Sequence, residues 1–247
     1  MKKLVCIIMM LTIGCGKKAA ETTAGKDTVA TVAKQSADIQ AVCVFEGISM
    51  RSEPSQKGKW LSSIALGEKM IALGETAHDT AGNVDYLKVR LSDASEGWAS
   101  ANFIIPKSKP ATITASSFFY KRPDLSTVTD KAFEPLDFIA VTNEQGDWLE
   151  VIGKRRKNNY VEKGWLNKSG ISFDEKDVAV ASMTAKAMAN ADAGKRKTEL
   201  EKILKNSAIT SSPMLSEVQK LLSDMSSYAS NTKRIKSDKA YFYNAPD

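Results

Sequence analysis

The chain has 247 residues, 43% of them apolar and 26% charged, so most of it can fold, and its length suits two or three compact units rather than one small barrel. Thirty-five Lys and Arg against 29 Asp and Glu leave a net charge of +6. That dispersed excess is too weak to argue for nucleic acid, although it favours polyanions or an anionic surface over acidic partners. His78 is the single histidine, which excludes a His-rich metal site.

The N-terminus carries Lys2 and Lys3, then an apolar run from Leu4 to Gly14 that ends at Cys15. The run is too short to span a bilayer and reads as a secretion signal over 1–14. Leu11-Thr12-Ile13-Gly14-Cys15 resembles the lipobox of bacterial lipoproteins, in which cleavage precedes the cysteine and its sulfur is lipidated. Thr12 departs from the usual Leu, a position at which spirochaete lipoproteins are looser. The other reading is an ordinary secreted protein cut elsewhere. Cys15 then becomes the anchor to a membrane, Cys6 leaves with the signal, and Cys43 remains as the one thiol, so the mature chain has no intramolecular disulfide. Residues 15–39, rich in Ala, Thr, Lys and Gly, read as a flexible tether reaching roughly 25–30 Å.

Residues 40–107 form the first expected unit: a strand over Ala41–Phe45, an extended piece from Ile48 into the turn at Pro54, a Gly-bounded strand over Leu66–Glu75, and the hairpin Tyr86–Phe103. In that hairpin Leu87, Val89 and Leu91 share one face, and Gly97-Trp98 opens the return strand, placing a large aromatic in a small core. The order Met50-Arg51-Ser52-Glu53-Pro54-Ser55, then Gly67-Glu68-Lys69-Met70, Tyr86-Leu87-Lys88-Val89 and Gly97-Trp98-Ala99 resembles the bacterial SH3 domain family. The resemblance implies a small five-stranded barrel.

Residues 110–173 read as a second copy. Asp147-Trp148-Leu149-Glu150-Val151 repeats Asp85-Tyr86-Leu87-Lys88-Val89, Gly164-Trp165-Leu166 repeats Gly97-Trp98-Ala99, and Phe133–Val141 is expected as the central strand. The second copy carries a longer hairpin whose insertion contains Lys154, Arg155, Arg156 and Lys157. Residues 174–232 change to helical spacing: Val178, Ala181, Ala185 and Met188 in one helix with Gly194 as its stop, Leu200, Ile203 and Leu204 in a second, and Leu215, Val218, Leu221, Leu222 and Met225 in a third behind Ser212-Pro213. Residues 233–247 resemble the start of a third module, because Tyr241-Phe242-Tyr243-Asn244-Ala245-Pro246-Asp247 echoes Phe118-Phe119-Tyr120-Lys121-Arg122-Pro123-Asp124. The expected fold is mainly β: two tandem SH3-like barrels followed by an α-helical region.

For chemistry, His78 falls between strands as a surface loop residue would, and Cys43 sits inside an alternating strand as a buried small hydrophobe would. No catalytic residue, metal site, cofactor or small-molecule substrate is expected, and the chain reads as a non-enzyme. Candidate ligand contacts are Lys154, Arg155, Arg156 and Lys157 as an exposed cationic tip, for which the alternative is a solvated turn, and Phe118 and Tyr120, for which the alternative is barrel core.

Signal, Cys15, tether, paired barrels and helical tail together resemble the leptospiral endostatin-like lipoproteins. That resemblance implies an outer-membrane, surface-exposed adhesin binding laminin, fibronectin, complement factor H or plasminogen. The alternatives are a periplasm-facing lipoprotein that holds peptidoglycan peptides or an envelope partner, and a rigid spacer with no ligand.

Overall fold

The computed structural model describes residues 33–34, 38–156, 158 and 160–227. The signal over 1–14, Cys15, most of the 15–39 tether, Lys157 and the 233–247 strand lie outside the described residues. The described chain is mainly β with three helices at its C-terminal end, as the sequence patterning predicts.

Among the described residues, fifteen strands form two curled sheets. The first contains β1 (Ala33–Lys34), β2 (Ile39–Cys43), β3 (Ile48–Arg51), β4 (Trp60–Ile64), β5 (Lys69–Asp79), β6 (Val84–Arg90), β7 (Glu96–Ser100) and β8 (Ile104–Pro106). The second contains β9 (Lys109–Ile113), β10 (Ser117–Tyr120), β11 (Val128–Phe133), β12 (Phe138–Gln145), β13 (Trp148–Gly153), β14 (Glu162–Asn167) and β15 (Ile171–Ser172). Strand order is β4-β3-β7-β6-β5-β2-β8 in one and β11-β10-β14-β13-β12-β9-β15 in the other, with β1 added to β5. The two paths are identical once the numbering is shifted, so the internal repeat of the sequence is a repeat of topology. Each path has seven strands where the family resemblance implies five. The chain enters and leaves each unit along one edge, and the two ends pair: Val42 lies opposite Ile105, and Thr112 opposite Ser172. That pairing satisfies backbone groups an open edge would expose.

Alternation along the strands sends one set of side chains inward. Ala41, Cys43, Met50, Ile64, Met70, Ala72, Val89 and Ala99 fill the first core, and Ala111, Ile113, Phe119, Phe133, Ile139, Leu149, Val151 and Leu166 fill the second. Phe133–Val141 is not one strand. It ends β11, turns through Leu136 and begins β12. Leu136 has φ of 71°, the place taken by Gly67 (φ +81°) in the first unit. A leucine tolerates that conformation because its side chain, 1% exposed, plugs the helical core beside Val180 and Leu200.

Helix α1 (Glu175–Met188) is capped by Asp174, whose carboxylate accepts from the amides of Lys176 and Asp177. It bridges both units. Val178 packs with Val42, Val44 and Ile105 of the first and Phe138 and Ala140 of the second. A Cβ placed on Gly67 would sit 2.4 Å from Ser182 Oγ, so the glycine also permits the close approach of this helix. Helix α2 (Ala193–Leu204) begins at Asp192, whose carboxylate accepts from the amide of Lys195. Gly194 therefore lies inside the first turn of α2 and does not stop α1, because the Asp192 cap outweighs a glycine one residue into the helix. Helix α3 (215–227) follows Ser212, whose Oγ accepts from Met214 N and donates to Asp177. Its apolar stripe closes the helical core through Val218 and Leu222, with Met214 just ahead of the helix. None of the described helices is long and apolar enough to cross a membrane.

Candidate functional site

The repeated Gly-Trp pair has one cause in both units. A Cβ on Gly97 would lie 2.6 Å from Met50 Cγ, and one on Gly164 would lie 2.0 Å from the Phe119 ring. The glycine gives its core position to the larger side chain of the neighbouring strand, and alternation then turns the tryptophan outward. The sequence expectation of a core aromatic is corrected here. Trp98 and Trp165 are half-buried on the outer face, Trp148 likewise, and Trp60 is 56% exposed.

Strand register lines these residues up. Trp60 lies opposite Arg51, Arg51 opposite Trp98, and Trp98 opposite Lys88, and residues directly opposite in neighbouring strands share a face. The same positions in the second unit are Val128, Tyr120, Trp165 and Glu150. Tyr120 also meets Trp148 edge-on, with ring centroids 4.8 Å apart. Phe118 lies two residues along from Tyr120 and is 57% exposed, and Val128, opposite Tyr120, is exposed as well. Phe118 and Tyr120, candidates from the sequence, are thus set on the outer sheet face, while Phe119 between them is core.

The row in the first unit is polar at its edges. Arg51 donates from Nη1 to Gly58 O at 2.8 Å, which ties the 52–59 loop to the sheet. Asp79 closes the other side of that loop. Burial alone would raise its carboxyl, but the amides of Gln56, Gly82 and Ala81 hold it below the ordinary value. Tyr86 is buried beside these groups. Loss of water and then the Asp79 charge push its hydroxyl up, and Arg51 opposes them. Lys88 pairs with Glu75 at 2.9 Å, and Arg90 with Glu96 at 2.8 Å.

The cationic run is placed differently from its expectation. Lys154, Arg155 and Arg156 do not form a free tip. Arg155 Nε donates to Glu162 at 2.5 Å, and Arg156 Nε donates to Asp137 at 3.0 Å. A guanidinium nitrogen of Arg156 also donates to Pro135 O. Lys154 Nζ sits 4.4 Å from the centre of the Phe45 ring, reaching from the second unit to the first. Two buried carboxylates explain the inward turn. Glu162 also accepts from Lys131 at 2.7 Å and Asn158 at 3.0 Å, and although burial works against it, these donors hold its carboxyl down to about 2. Asp137 is more deeply buried, and loss of water raises its carboxyl despite the amide of Glu134 and the Arg156 charge. A run of four cations gives no sign in sequence of which carboxylates it meets, because Glu162 lies on β14 and Asp137 in the turn between β11 and β12.

Cys43 and His78 do not come together. Cys43 is fully buried in the first core, its thiol pushed up to about 12 mainly by burial, and Sγ donates to Phe45 O. His78 lies near the exposed end of the β5–β6 hairpin, with Nδ1 2.8 Å from Asp85.

No protein-family model matches the chain, and no curated protein does. Among solved structures it is similar to NlpC2 from Trichomonas vaginalis, with 12% identity over 67% of this chain and 55% of that one and a TM-score of 0.23. It is also similar to NlpC1 from Trichomonas vaginalis, with 10% identity over 69% and 54% and a TM-score of 0.24. The chain spans about half the length of these solved structures.

Proposed function

We propose that this protein is a non-enzymatic, lipid-anchored adhesin of the outer-membrane surface, of the leptospiral endostatin-like kind, whose outward aromatic rows contact host matrix or complement-regulator proteins. One observation carries the reading: the tryptophans of both units face out of the cores, in register with exposed or half-exposed neighbours. A half-exposed tryptophan has a large contact area and little entropy to lose, and such residues dominate the energetics of protein interfaces. The inert thiol of Cys43 and the separate surface position of His78 support binding over catalysis. The ligand surface is moved from the cationic run to the rows, because Arg155 and Arg156 are engaged by buried carboxylates.

The test is binding of the Trp98→Ala, Trp165→Ala double variant to immobilised laminin, fibronectin, factor H and plasminogen, with thermal unfolding measured alongside. One anchor of the usual interface strength, about 2 kcal/mol, predicts about a 30-fold loss for the true ligand, and the pair together more. Undiminished binding by a folded double variant refutes the role of the rows. Binding of peptidoglycan fragments in place of all four host proteins would assign the rows to a periplasm-facing protein instead.

A further inference from the structure

We infer that the Trp60–Arg51–Trp98 row of the first unit is a site for an acidic glycan chain, a sulfated or uronate-bearing polysaccharide, an assignment that rests on the proposed binding role of the outward rows and names the ligand class of one of them. The two indoles stand one strand to either side of Arg51, so their attachment points are about 9–10 Å apart by ordinary strand spacing. Arg51 is half-buried and takes part in no ion pair among the described residues, its bond to Gly58 O apart. A partly desolvated guanidinium with free donors is suited to a bidentate anion, carboxylate or sulfate. The neighbouring acids do not compete for it. Asp79 is held by backbone amides, Glu75 by Lys88, Glu96 by Arg90 and Asp85 by His78. Glu53 lies on the adjoining loop with Lys57 and Lys59, which also lack ion pairs among the described residues.

This arrangement of flat apolar face, cation and flat apolar face matches a chain of pyranose rings bearing anionic substituents. The rings stack on the indoles while the anion meets the guanidinium. An acidic peptide supplies the charge but no flat ring at each step. The second unit acts as an internal control. Its row reads Val128, Tyr120, Trp165, Glu150, with no cation at the central position and a carboxylate, engaged by Lys163 and Thr142, where the first unit has Lys88.

The experiment is calorimetric titration of the full chain with a heparin-derived octasaccharide, its fully desulfated counterpart and a poly-glutamate of equal charge, near physiological salt. Trp60→Ala, at the most exposed of the three positions, is expected to weaken octasaccharide binding at least tenfold. Arg51→Lys, which keeps the charge and loses the fork, is expected to weaken it several-fold, and Val128→Ala to leave it unchanged. Desulfation is expected to weaken binding several-fold without abolishing it, because the uronate carboxylates remain. Unchanged affinity in both Trp60→Ala and Arg51→Lys overturns the assignment, as does equal loss in Val128→Ala. Preference for poly-glutamate, lost in Trp60→Ala, overturns it in favour of an acidic peptide. Absent glycan binding alongside retained laminin binding that Trp98→Ala, Trp165→Ala removes would overturn this assignment and leave the adhesin reading standing.

Discussion

Replacing Glu162 with Gln tests the charge cluster that turns the cationic run inward. The Glu162 side chain is 8% exposed and accepts from Arg155, Lys131 and Asn158, which bring its carboxyl from the ordinary 4.5 to about 2. At about 1.4 kcal/mol per pH unit, that gap is worth about 3 kcal/mol of folding stability. The folded carboxyl titrates below the unfolded one, so the contribution is complete above pH 4.5 and is lost as pH falls toward 2. Asp137 has the opposite sign, since burial raises its carboxyl and its charging costs stability as pH rises, but it is present in both proteins and cancels from their difference. Urea unfolding of wild type and Glu162→Gln from pH 7 to pH 2 should show the variant about 3 kcal/mol less stable at neutral pH, with the gap closing through the acid range. A gap that does not change with pH would refute the ion cluster.

Further substitutions probe the packing. Arg156→Ser leaves Asp137 buried without its cation and should cost about 3–5 kcal/mol, read as a lowered urea midpoint; an unchanged midpoint would show that Arg156 is the solvated surface cation its sequence context suggests. Gly164→Ala should destabilise by about 1–3 kcal/mol, and more than Gly97→Ala. The added methyl meets the stiff Phe119 ring at 2.0 Å in the first case, and the adaptable Met50 side chain at 2.6 Å and Arg51 O at 2.9 Å in the second, and Phe119→Leu should recover part of the Gly164→Ala loss.

Much of the fold was legible because strand alternation and the repeated hairpin are local properties of the chain. The recurrence of Asp-aromatic-Leu-x-Val and Gly-Trp marks equivalent strands in both units, and the identical strand orders follow from it. What failed to show were long-range pairings. The Gly-Trp motif does not say whether glycine or tryptophan faces inward, which is decided by Met50 and Phe119 on strands β3 and β10. The run at 154–157 reads as a solvated tip until Asp137 and Glu162, on other parts of the fold, are placed beneath it. Leu136 reads as strand because its apolar neighbours do, yet it is a left-handed turn residue fixed by helices about fifty residues onward. The outward rows were half visible: Phe118 and Tyr120 stood out as a dense aromatic run, whereas Trp60, Arg51 and Trp98 align only through register.

The central claim is that ligand covers the outward aromatic rows, and hydroxyl-radical footprinting of the protein with and without its bound host partner tests it most directly. The account predicts that Trp60, Trp98, Trp148 and Trp165 lose oxidation in the complex, while Tyr160 and Phe173, exposed elsewhere, keep theirs. Protection at Tyr160 or Phe173, or on the helical region, with the tryptophans oxidised as in the free protein would contradict it.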